Sequence, residues 1–250
     1  MNLLYIILFF ILGATLTSFY HLIGERIPKK ISIAGRSYCN HCKKTLRFID
    51  ELPIIGYIIN LGKCHFCKKP IPVKYLLYEI FGGALFLLSY ITFGFTLELI
   101  VSLTLISVFL VEIVSDSLYQ IVIDRVWIIG AVIVIITRSI QGVIWEYLLS
   151  GAILFSILFL IGFLGKKIAK KEALGGGDIK LYLFIGLAMN VWNSLLSLFL
   201  ACIVALLFAI IRMKSLKKYI PLVPFIFVGV FIAYFYGDAI ISWYLNLFGM

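Results

Sequence analysis

Eight runs of apolar residues, at about 3–23, 76–95, 97–118, 123–141, 148–165, 179–193, 195–213 and 221–247, dominate this sequence. Each is long enough, or nearly so, to cross a hydrocarbon core about 30 Å thick, and the sixth is the shortest. Hydrocarbon offers no water to backbone N–H and C=O groups, so such runs are expected as helices. With 63% hydrophobic and only 14% charged residues, a soluble globular reading does not fit. The expected fold is an all-α polytopic integral membrane protein of about eight transmembrane helices. It divides into a transmembrane helix at 1–23, a polar loop domain at 24–75 and the remaining helices at 76–250. The first run has no basic residue ahead of it and ends in Tyr20-His21-Leu22-Ile23, which is no small-residue cleavage pattern. It is therefore read as a helix and not as a signal peptide.

The formal charge of +10 follows from topology, and no nucleic-acid partner is expected. Assigning alternate loops to one side gathers Arg26 through Lys74, Arg125, Lys166 through Lys180 and Arg212 through Lys218 there, and leaves Arg138 in the opposite link with Glu146. An excess of Lys and Arg marks the cytoplasmic side, which places both termini outside. The run Lys166-Lys167-Ile168-Ala169-Lys170-Lys171-Glu172 suits anionic lipid headgroups.

Four of the five cysteines stand in the polar loop as Cys39-Asn40-His41-Cys42 and Cys64-His65-Phe66-Cys67, with 21 residues between the pairs. Two C-x-x-C pairs supply the four thiolates that a structural zinc prefers. A reducing cytoplasm favours metal over disulfides, and a thioredoxin-like redox pair would need a βαβ pattern that is absent here. His41 and His65 are expected as exposed loop residues, and Cys202 as a small buried hydrophobe. Glu51 reads as a solvated partner of nearby lysines, whereas Glu79 stands at a membrane boundary. No internal repeat is expected.

Gly175-Gly176-Gly177-Asp178 sets a carboxylate beside an apolar run. An ionisable group there is costly unless something uses it, and glycines allow a free turn and the close approach of a peptide. The alternative is a loop followed by a helix cap. Asp116 ends another apolar run, and the charge bias puts both aspartates on the cytoplasmic face. Glu112 shares the helical face of Asp116 four residues on. Asp124 and Arg125 are expected to pair with each other.

At this point the residues resemble the prepilin peptidases, or type IV leader peptidases, and above all the competence-associated members of Gram-positive bacteria. The resemblance rests on Gly13 through Phe19 leading to Arg26-Ile27-Pro28, Arg36-Ser37, both cysteine pairs, Asp116, Gly-x-Gly-Asp followed by Ile179-Lys180-Leu181, and Pro221 with Pro224-Phe225. Ile123 replaces a usual proline, Glu112 replaces an apolar residue, and no proline directly precedes Glu79. The resemblance implies catalytic Asp116 and Asp178 in an aspartic peptidase domain at 76–250. Gly175, Gly176, Gly177 and Lys180 would position the substrate. It also implies cleavage of basic leaders from prepilin or pseudopilin precursors after a glycine on the cytoplasmic face of a bacterial plasma membrane. In many members N-methylation with S-adenosylmethionine follows.

Dipole reasoning makes Asp178, at a helix start, the more readily ionised partner and Asp116, at a helix end, the more often protonated one. Two rival classes have specific expectations. A metal-dependent transferase acting on a lipid phosphate would carry Asp-rich clusters for magnesium, and a zinc-stabilised transporter would place its acids mid-membrane.

Overall fold

A computed structural model of the chain describes residues 2–169, 174–211, 220–247 and 249. Its elements are helices throughout: α1 Leu3–Arg26, α2 Phe48–Glu51, α3 Ile55–Ile59, α4 Val73–Phe93, α5 Leu97–Tyr119, α6 Asp124–Ile140, α7 Ile144–Ala169, α8 Gly176–Ala188, α9 Val191–Ile211 and α10 Val223–Leu247. Among the described residues no strand forms, and only the isolated bridges Tyr38 to Thr45 and Lys63 to Pro70 occur. Six of the helices, α1, α4, α5, α7, α9 and α10, are long and apolar enough to span a membrane. The expected eight is thus an overcount. The run at 123–141 yields the 17-residue α6 and the run at 179–193 the 13-residue α8. A helix of 13 residues rises about 20 Å, short of a core about 30 Å thick.

The chain forms two compact units, Met1–Leu99 and Ile100–Met250. In the first, α1 packs on α4 along a seam of small residues. A Cβ at Gly13 would meet Phe86, one at Gly82 would meet Thr17, and one at Gly83 would meet Phe10. Close backbone approach of this kind is how helices gain contact where lipid is as apolar as leucine. Phe9 stacks on Tyr90 with ring centroids 4.6 Å apart. Gly94, at φ 56, closes α4 in a conformation that a side chain rarely adopts.

The polar loop is tied to this pair. Glu79 of α4 accepts from the backbone N–H of Ile54 at 2.7 Å, where φ is 63. Within the loop, Asp50 accepts from the Arg47 side chain at 2.9 Å and from Asn60 at 2.9 Å, and these partners hold its carboxyl well below the usual carboxylate range. Glu51 accepts from the backbone N–H of Ser37 at 3.3 Å, a structural bond in place of the expected solvated lysine pair.

In the second unit α5 is the most buried of the six long helices. Leu181, Tyr182 and Phe184 through Ala188 bury the C-terminal part of α8 on every side, as a helical stretch that is apolar all round requires. Since α8 is short, its last carbonyls need donors from protein. Arg138 supplies one to Ala188 O and Ser150 another to Met189 O. Arg138 is therefore a buried residue of α6 and not the link residue expected, and its guanidinium also lies 3.9 Å from the Tyr147 ring centroid. Cys202 is exposed on α9, contrary to expectation, as helix faces turned to lipid are. Lys170 to Ala173, which include Glu172, and the basic cluster Arg212 through Lys218 lie outside the described residues.

Candidate active site

Asp116 stands in the last turn of α5 and is only 8% exposed. Its Oδ2 accepts from the backbone N–H of Val223 at 2.9 Å, and the N–H of Leu222 is a second donor. Val223 opens α10, so these are N–H groups that no carbonyl of that helix can take. The flanking prolines fit this use: Pro221 and Pro224 have no N–H to give, and their fixed φ suits a helix start.

Asp178 is the third residue of α8. The three glycines before it do different things. A Cβ on Gly175 would lie 2.9 Å from Asp178 Oδ2, and one on Gly177 would lie 2.7 Å from Val122 Cγ2, while Gly176 has nothing within 4 Å. None of the three has a positive φ. Close approach, and not a free turn, is what glycine provides at Gly175 and Gly177.

Val122 belongs to the turn between α5 and α6, which is fixed from three sides. Glu112 Oε2 accepts from Ile123 N at 2.9 Å, Ser115 Oγ donates to Ile121 O at 2.6 Å, and Gln120 N donates to Asp116 O at 2.9 Å. The turn that follows Asp116 thus packs on the glycine that precedes Asp178, and this brings together two carboxylates 62 positions apart. Burial, with a smaller contribution from the charge of Asp116, pushes the Asp178 carboxyl up to about 7. Glu112 is fully buried beside them, and its Oε1 has no hydrogen-bond partner among the described residues.

Lys180, half exposed, pairs with Asp124. Its Nζ lies 2.9 Å from each carboxylate oxygen of Asp124 and so joins α8 to α6. Asp124 also accepts from Trp127 Nε1 at 3.0 Å. The expected Asp124 pairing with Arg125 gives way to Lys180, because adjacent residues on a helix point apart.

The four loop cysteines form a second centre, within the first unit. Their sulfurs all lie within 4.8 Å of one another, with Cys39 and Cys67 3.9 Å apart. Tetrahedral zinc with bonds of about 2.3 Å separates its sulfurs by about 3.8 Å, so the set could hold such an ion after slight contraction. The backbone N–H of Cys42, chiefly, draws the Cys39 thiol down to about 6, toward the thiolate that a metal takes. His41 is exposed and His65 half-buried. A repeat that was not expected appears here. Cys39 N donates to Lys44 O and Lys43 N to Cys39 O, just as Cys64 N donates to Lys69 O and Lys68 N to Cys64 O. Lys43 and Lys68, each after its second cysteine, have φ of 59 and 57.

Residues 11–93 match the bacterial peptidase A24 N-terminal domain, and residues 103–210, which carry both aspartates, match the type IV leader peptidase family. A prepilin leader peptidase/N-methyltransferase of Bacillus subtilis (strain 168) is 32% identical over 245 residues, covering 95% of this chain and 97% of that protein. The chain belongs to the type IV leader peptidase family. Proteins of the same description from Legionella pneumophila and Vibrio cholerae are 28% and 24% identical, over 84% and 94% of this chain and 76% and 98% of their own lengths. No solved structure matches it. As a type IV leader peptidase it is a multi-pass membrane protease, and the matched segments meet the cysteine loop in one unit and the aspartate pair in the other.

Proposed function

We propose that this type IV leader peptidase is an intramembrane aspartic endopeptidase. It cuts basic leader peptides from prepilin-like or competence pseudopilin precursors, after a glycine, on the cytoplasmic face, and then N-methylates the new terminus. The observation that carries the reading is the pairing of Asp116, clamped by the start of α10, with Asp178, whose carboxyl is raised by burial and by that neighbour.

Two carboxyl groups in such proximity hold one proton between them, because both cannot ionise easily. In this reading that proton resides on Asp178 below about pH 7, the reverse of the order that helix ends alone suggest. Asp116 carries the acceptor role, since its oxygens already receive backbone N–H donors. In hydrolysis Asp116 takes a proton from water as the water oxygen attacks the peptide carbonyl carbon, while Asp178 gives its proton to the carbonyl oxygen. Collapse of the tetrahedral species breaks the C–N bond as Asp116 gives its proton to the leaving amine and Asp178 takes one from a hydroxyl of the gem-diol, which leaves a carboxylic acid product and restores the starting protonation.

In the same proposal the cysteine loop at 24–75 is a small domain organised by zinc on Cys39, Cys42, Cys64 and Cys67. The basic loops face the cytoplasm, and substrate recognition uses the apolar helix of the precursor together with the open space at Gly176. The methyl group comes from S-adenosylmethionine when that molecule is bound. Incubating the purified protein with a synthetic prepilin and weighing the products tests the whole reading. A cut after the glycine supports it, and an intact precursor or a cut elsewhere overturns it.

A further inference from the structure

The cysteine loop carries apolar residues on its outside. In α2, α3 and the turn after them, Phe48, Ile49, Ile55, Ile58, Ile59 and Leu61 are all exposed, Phe48 by 72% and Leu61 by 84%. The polar residues of the same stretch point the other way. Asp50, Glu51 and Asn60 line the cavity that the loop encloses with the ends of α1 and α4. Asp50 is held there by Asn60 and Arg47, and Glu51 by the backbone N–H of Ser37. Gly56 lets α3 close on α2, since a Cβ there would lie 2.5 Å from Asp50 O. A loop that met only water would be built the opposite way round, and an apolar patch left on a surface marks contact with a protein or a membrane. Leu61 even holds its side chain out at φ 51, a backbone conformation that glycine or asparagine ordinarily takes.

Height and charge say what covers this face. The 21 residues of α4 rise about 31 Å, which fills a hydrocarbon core about 30 Å thick with little to spare. Glu79 lies about 9 Å along that helix from its start. There it takes the N–H of Ile54, the residue that precedes α3. The short helices are thereby pinned at the level where α4 passes from headgroups into hydrocarbon. As for charge, the stretch from Arg26 to Tyr78 has eleven Lys and Arg and only two acids, the inward Asp50 and Glu51. Lys43, Lys44 and Arg47 lead into α2, Lys63, Lys68 and Lys69 follow Leu61, and all six are exposed. An apolar side flanked by cations is the pattern of a segment that lies in the headgroup region of an anionic bilayer, its apolar side about 5–10 Å deep.

We propose that α2, α3 and Leu61 form an interfacial anchor that rests on the anionic lipid surface beside α4. Phe48, Ile58 and Leu61 enter among the acyl chains, and the flanking lysines meet lipid phosphates. The cysteine loop then rides on the bilayer instead of projecting from it, and this contact holds whatever chemistry the second unit performs.

The test replaces Ile58, or in a second variant Tyr57, by the photoreactive benzoylphenylalanine in the full-length protein. Each variant is placed in nanodiscs of equal phosphatidylglycerol and phosphatidylcholine, with a synthetic precursor added. After ultraviolet irradiation, mass analysis should find lipid joined to position 58, and at least fivefold less at position 57, which lines the cavity. The yield at 58 should fall at least threefold in phosphatidylcholine alone. It should fall as far when Phe48→Ser, Ile55→Ser and Leu61→Ser are combined, and because those side chains stand exposed, melting in detergent should stay level. Equal yields at 57 and 58, equal yields in the two bilayers, or photoproducts at 58 that join a second copy of the chain or the precursor in place of lipid would each overturn the proposal.

Discussion

Asp116 Oδ2 and the backbone N–H of Val223, 107 positions apart in sequence, lie 2.9 Å from each other. A buried carboxylate thereby receives the free donors of a helix start, and its position is set by the end of the chain. Asp116→Asn and Asp178→Asn should each abolish cleavage in a mass-measured assay while protein yield stays level. An amide keeps the shape but cannot exchange the proton. Activity comparable to the parent in either variant would sink the assignment. Asp124→Asn should lower activity little, because its bond to Lys180 is a half-exposed ion pair, worth at most about 1 kcal/mol.

The pH profile carries the same assignment. With the Asp178 carboxyl at about 7, the proton needed by the carbonyl oxygen is present below that value and lost above it. Cleavage should therefore fall as pH rises through about 7, with the loss fully reversible on return to pH 6. A rate that keeps climbing to pH 9 would place the proton donor elsewhere.

Gly176 and Gly177 separate substrate contact from packing. Alanine at Gly177 drives a methyl group into Val122 and should lower both thermal stability and cleavage, since it pushes the α5–α6 turn off α8. Alanine at Gly176 enters open space at the first position of α8, where no neighbour within 4 Å opposes it. Melting of the Gly176→Ala variant in detergent should be unchanged or higher, and a fall in its cleavage rate would then report the precursor. A lower melting temperature for Gly176→Ala than for Gly177→Ala would contradict the packing described.

Glu112 holds the same turn from below. Glu112→Gln keeps an oxygen to accept the Ile123 N–H, whereas Glu112→Leu leaves that buried donor without a partner, at a cost of about 1–3 kcal/mol. The leucine variant should melt lower and cleave at least tenfold more slowly than the glutamine variant. Equal behaviour of the two would show that the hydrogen bond is not what fixes the turn.

For the cysteine loop, metal analysis should find about one zinc per chain in the parent protein. Cys39→Ser with Cys42→Ser should lose it, and limited proteolysis should then cut between residues 24 and 75. A segment this small has little core of its own, so metal binding supplies its folding energy. A zinc-free parent with a protease-resistant loop would refute the site.

How far this could be read from residues depends on the kind of force involved. Hydrophobic length found every long helix, because exclusion from water acts on local runs. It miscounted the spans because length alone does not say that α6 and α8 stop short, and α8 can stop short only because Arg138 and Ser150 complete its far end. The cysteine spacing announced its cluster, since four ligands must converge on one point. The Asp116 clamp was not legible, although Pro221 and Pro224 marked its place, because a bond between residues 107 apart leaves no local pattern. The dipole argument for the two aspartates used each residue's own helix and could not see that the start of α10 faces Asp116.

The two units follow one another along the chain without interleaving, Met1–Leu99 and then Ile100–Met250. Synthesis from the N-terminus therefore delivers the thiol cluster and its helix pair before either aspartate of the proposed pair exists. Both aspartates emerge next, but the donors that fix the first of them come only with Val223. A chain cut short in between carries both acids with the clamp missing, so the proposed hydrolysis needs synthesis to have passed Val223.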